Sequence, residues 1–86
     1  MKNNRYASHV IIHPEKGIRK QAMIEVAEGK VIRMAPLQEE LEDVQWLPGA
    51  IILSEEADKS LLPYWNYPFD LTSMQPVAGT RRRQLP

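Results

Sequence analysis

The sequence predicts a small all-β domain, a β-sandwich or barrel-like fold carrying one or two short helical turns. Three observations predict it. Proline and glycine cut the β-branched runs into short pieces, residues 19–27 alternate with a period of two, and a Glu-Gly-Lys turn leads from them into a further apolar stretch.

Tyr6 to His13 contains Val10-Ile11-Ile12 and stops at Pro14, which cannot donate to a strand ladder. Glu15-Lys16-Gly17 is a polar turn. In Arg19 to Ala27, Ala22, Ile24 and Val26 point one way while Met23 and Glu25 point the other, the pattern of a half-buried strand. Ala27-Glu28-Gly29-Lys30 is a tight turn with Gly29 free to take a positive φ, and Lys30 to Met34 completes a hairpin. Pro36 to Leu41 has helix formers after a proline and predicts a single helical turn, with Leu37 and Leu41 on one face. Val44 to Leu47 predicts a short strand broken at Pro48-Gly49. Ala50 to Leu53 is apolar without alternation, as a strand covered on both faces would be.

Beyond Ser54 the texture changes. Ser54 to Ser60 is charged and predicts a short helix with Ser54 as its N-cap. Leu61 to Phe69 carries Pro63 and Pro68 and predicts an irregular segment, because each proline restricts its predecessor. Asp70 to Met74 and Val77 to Arg83 are further candidate strands.

With 86 residues the chain has room for one core, a single domain over 1–86. Eleven Lys and Arg balance eleven Asp and Glu, which argues against a general nucleic-acid or anionic-membrane binder. Cysteine is absent, so disulfides and thiolate metal sites are excluded. Val10-Ile11-Ile12 is too short for a signal-peptide core or a membrane span, and a cytoplasmic protein is the expectation.

Ile24-Glu25-Val26-Ala27-Glu28-Gly29-Lys30-Val31 fits an I-x-V-x-x-G-x-I hairpin; an acidic stretch follows, and a strand then closes on Leu47-Pro48-Gly49. In that order, over about 6–53, the chain resembles the N-terminal accessory (composite) β-sandwich of the amidohydrolase superfamily of metal-dependent hydrolases. In that family the sandwich sits beside a catalytic barrel, whose first metal ligands form a His-x-His just past the Pro-Gly. Ser54-Glu55-Glu56 stands there instead, and a (β/α)₈ barrel needs about 200 residues. No catalytic or metal residue of the family has a matching position. Ala57-Asp58 before Leu61-Leu62 is similar to the point where such chains return to the sandwich. The resemblance therefore implies that 57–83 completes the sheet and that 84–86 is a tail.

Candidate chemistry is sparse. His9 and His13 would lie about 13 Å apart on a strand, too far to share a zinc ion. Glu39, Glu40, Glu42 and Asp43 read as a solvated acidic face, without the burial that tunes a catalytic carboxylate. Ser8 with His9, and Ser54 with Asp58, lack the nucleophile elbow that would strain a serine into reactivity. Tyr64, Trp65, Tyr67 and Phe69 are four of the six aromatic residues and suit either a ligand or partner surface or a lid over the core. Arg81, Arg82 and Arg83 form a basic contact patch or a solvated terminal segment.

The leading expectation is a module with no catalysis and no cofactor of its own, working through protein contacts or as a homo-oligomer. One alternative is a subunit or relic of a metal-dependent hydrolase acting on C–N bonds. The other is a small-ligand binder using the aromatic residues at 64–69.

Overall fold

The computed structural model describes residues 3–37 and 43–86. Their architecture is all-β: β1 (Asn4–His13), β2 (Gly17–Ala27), β3 (Lys30–Pro36), β4 (Val44–Glu55), β5 (Leu61–Asp70) and β6 (Gln75–Gln84). They form one mixed sheet in the order β3-β2-β1-β4-β5-β6, antiparallel throughout except where β1 runs parallel to β4.

The sheet curls until strands distant in its order meet. β3 comes close to β5. Lys30, the first residue of β3, pairs with Asp58, on the β4–β5 turn, at 3.5 Å. The enclosed core takes Tyr6 and Ile11 from β1, the predicted inward row Ala22, Ile24 and Val26 from β2, and Leu47, Ile51 and Leu53 from β4. Val31, Met34, Leu61 and Trp65 pack against it. Alternation on β2 thus places its inner face correctly, but Met23 on the other face is buried as well, in register with the small Ala7 and Ala35.

Val44–Glu55 is one strand, where the sequence predicts two. Pro48 and Gly49 do not end it; they form a bulge opposite β1, where Ser8 pairs with Leu47 and Val10 with Ala50. Leu61–Asp70 is a strand, where an irregular segment is predicted. Pro63 pairs with Leu53, near the start of the strand, and Pro68 lies beyond the last β4 partner, Asn66, at an irregularity opposite β6. Proline is tolerated at such strand starts and irregularities.

The predicted helix over Ser54–Ser60 does not form. Ser54 pairs with Leu62, and the chain reverses through Lys59 N–H to Glu56 O (2.9 Å) and Glu56 N–H to Ser60 O (2.8 Å). Asp58 organises that turn by accepting from the Ser60 N–H and hydroxyl. Of the strand predicted over Asp70–Met74, Asp70 ends β5 and residues 71–74 form a turn, because the Asp70 carboxylate accepts from the N–H groups of Thr72 (2.9 Å) and Ser73 (3.2 Å). Of the helical turn predicted over Pro36–Leu41, Pro36 ends β3 and Leu37 N–H donates to Gln21 O; residues 38–41 lie outside the described residues.

Residues 84–86 are not a loose tail. Leu85 is only 5% exposed and belongs to the core, its N–H donating to Pro63 O at 2.9 Å. Pro86 O accepts from the Tyr6 hydroxyl and from Asn4 Nδ2, each at 3.0 Å. An apolar side chain that fills a core gap outweighs the fraying expected at the end of a sequence.

Candidate functional site

The structure gives most of the predicted site residues a place. His9 is exposed, its ring edge-on to Trp46 at 5.0 Å, while His13 Nδ1 accepts from the N–H groups of Glu15 and Lys16 and shapes the β1–β2 turn. Ser8 is fully buried with its hydroxyl on the carbonyls of Leu47 and Gly49, so it faces no substrate. Ser54 lies on β4 and Asp58 on the following turn, occupied with Ser60. Glu39, Glu40 and Glu42 lie outside the described residues. Among the described residues no group of three His, Asp or Glu side chains is placed to hold a metal ion.

The aromatic segment does not converge. β5 sends its side chains alternately to the two faces of the sheet. Trp65 points to the core side, where its Nε1–H donates to Pro48 O at 2.7 Å and its ring stacks on Tyr67 at 6.2 Å. Tyr64 points the other way, in register with Ile52. Phe69 lies past the irregularity at Pro68, opposite Pro76. Four rings close in sequence are thereby spread over two faces and make no common pocket.

The three arginines lie in β6, in register with β5: Arg81 opposite Tyr67, Arg82 opposite Asn66, Arg83 opposite Trp65. They too alternate, so Arg81 and Arg83 share one face and Arg82 takes the other. Arg82 sets its guanidinium 3.8 Å from the centre of the Tyr64 ring, a cation–π contact that fixes one of the three. All three are exposed. Among the described residues β6 is the last strand of the sheet, hydrogen-bonded to β5 on one side only. Residues 77–80 bulge out opposite Pro68 between the pairs Phe69–Pro76 and Tyr67–Arg81. Thr80 pins that bulge: its hydroxyl accepts from Val77 N–H at 2.8 Å and donates to Pro68 O at 2.6 Å. Beyond the bulge, Arg81–Gln84 pairs residue for residue with β5 and has no further strand on its other side among the described residues.

The candidate strand over Val77–Arg83 forms as part of β6, but sequence reasoning missed the role of Thr80. The available signal was Gly79-Thr80, a glycine at φ +87° followed by a residue whose hydroxyl caps its own loop. A strand exposed on both faces shows no apolar alternation to find.

Asp58 and Asp70 are held below the usual carboxylate range, Asp58 by the Ser60 hydroxyl and N–H and then by Lys30, Asp70 by the N–H groups of Ser73 and Thr72. Glu25 is lowered by Asn3 Nδ2 and then by Arg5. Each of these carboxylates is tied to a turn or to a neighbouring strand, so none is poised for proton transfer. Burial pushes the Tyr6 phenol up.

The chain matches no protein-family model, no curated protein and no solved structure.

Proposed function

We propose that this chain is a non-catalytic β module that works by contact with another protein along the open edge of its sheet. The observation that carries the reading is β6: a strand of 10 residues, bonded on one side and exposed at nearly every position. An edge strand offers a row of unpaired N–H and C=O groups, a ready template for a further strand. A photo-crosslinking residue at Gln75 or Gln84, with one at the exposed Ile18 as control, tests it in the cell of origin. A distinct protein adduct from the β6 positions is expected. Identical adduct patterns from β6 and Ile18 would sink the reading.

A second reading has its own support. β5 and β6 join the same sheet as β1 to β4, as the resemblance to the amidohydrolase accessory sandwich implies for the segment after residue 57. On that reading the module serves a separate metal-dependent hydrolase chain that acts on C–N bonds. Copurification of the tagged chain with such a hydrolase at fixed stoichiometry would support it; a preparation free of any hydrolase chain would count against it.

A further inference from the structure

We propose that the edge of β6 over Arg81–Gln84 receives an acidic, extended segment of a partner protein as a seventh strand. This rests on the contact reading above and names the partner's chemistry.

Arg81 and Arg83 make no ion pair or side-chain hydrogen bond with any described residue, so their guanidinium groups are free to meet a partner; Arg82 is oriented by Tyr64 and keeps its donors exposed. β6 itself contains no acidic residue. The edge is a concentrated positive charge on a chain of zero net formal charge.

The faces decide the shape of the ligand. Arg81 and Arg83 lie on one side of the sheet and Arg82 on the other, so a phosphate backbone, which runs along a single path, would meet only part of the set. A β-strand laid against the edge alternates its own side chains in the same way. Consecutive Asp or Glu residues then reach both faces, each opposite-charge cross-strand pair adding to the backbone bonds. Four residues of strand span about 13 Å, enough for a short segment.

The same arginines disfavour a second copy of the chain. Antiparallel self-pairing over Arg81–Gln84 sets Arg82 against Arg83 twice, and like charges directly opposite destabilise a strand pair. The edge thus repels its own kind and selects acidic strands.

The test uses the full chain and a fluorescein-labelled peptide of three consecutive glutamates flanked by valines, followed by fluorescence anisotropy. Two competitors of equal charge accompany it: one of alternating glutamate and proline, which cannot join a ladder, and an oligothymidylate. The valine-flanked peptide should bind, and the double charge reversal R81E/R83E, with its circular dichroism unchanged, should weaken it by about tenfold or more. Both competitors should bind more weakly. Failure of that peptide to bind, equal binding by the proline peptide, or tighter binding by the oligothymidylate would overturn the inference. The crosslinking at Gln75 and Gln84 is read independently, so an adduct there without peptide binding would reject the acidic strand and leave the contact module standing.

Discussion

The Ser8 hydroxyl lies 2.7 Å from Leu47 O and 2.9 Å from Gly49 O, binding β1 to the bulge in β4 from inside the core. A bulge leaves backbone groups out of the ladder, and here the single O–H of a buried serine is shared between two carbonyls at the bulge. Ser8→Ala should cost about 1–3 kcal/mol, the range for orphaning a buried polar group. Urea denaturation should show a lower midpoint with an unchanged slope.

Gly49 is required at that bulge for two reasons. Its φ is +91°, and a Cβ there would sit 2.5 Å from Asn66 O, a backbone atom of β5 that cannot swing aside. Gly49→Ala should therefore destabilise by about 2–4 kcal/mol, combining backbone strain with overpacking. In a domain of this size that is a large share of the total. A thermal midpoint within a degree or two of the parent would contradict the account.

Acid should loosen the turns. Glu25, Asp58 and Asp70 have folded-state pKa values below their ordinary ones, so the folded chain binds fewer protons than the unfolded chain as pH falls. The stability they contribute is present above the ordinary carboxylate range and is lost as pH drops through the lowered values. Melting temperature should fall below about pH 4, and Asp70→Asn should flatten that fall. An unaltered acid limb in Asp70→Asn would rule out its turn as a contributor.

Tyr6 gives the opposite limb. Its phenol is raised by burial and donates to Pro86 O at 3.0 Å, so the folded chain keeps a proton that the unfolded chain loses. Stability from this group is full below the ordinary phenol value and declines as pH rises past about 10. Tyr6→Phe should lose about 0.5–1.5 kcal/mol at neutral pH and lose less than the parent between neutral and strongly alkaline pH. A steeper alkaline decline in the variant would contradict this.

The sequence made the β1, β2 and β3 region legible because its apolar period and its glycine turn agree with the tertiary structure: Ala22, Ile24 and Val26 all reach the core. It misled where prolines stand in strands. Pro48, Pro63 and Pro68 read as breaks, yet all three lie within strands: Pro48 at the bulge opposite β1, Pro68 at the irregularity opposite β6 and Pro63 near the start of β5, conditions set by residues distant in the chain. The candidate site was visible as composition, in the run of arginines and the density of aromatic rings. Its geometry was hidden on the aromatic side, since Leu61–Phe69 reads as irregular; Val77–Arg83 does read as a candidate strand and forms part of β6.

Leu85 was hidden for a related reason, and it carries the last prediction. It follows an exposed polar strand and precedes Pro86, yet it enters the cluster of Tyr6, Ile11, Ile51 and Leu53, where its burial holds Pro86 O against Tyr6 and Asn4. Leu85→Ala should cost about 2–4 kcal/mol as a large-to-small core change, whereas Gln84→Ala, one residue earlier and exposed, should stay within about 0.5 kcal/mol. Loss of Leu85 should also speed amide exchange along β6, whose Gln84 end is tethered through the Leu85 N–H to Pro63 O. Equal stability of the two variants would show that the final residues do not close the core.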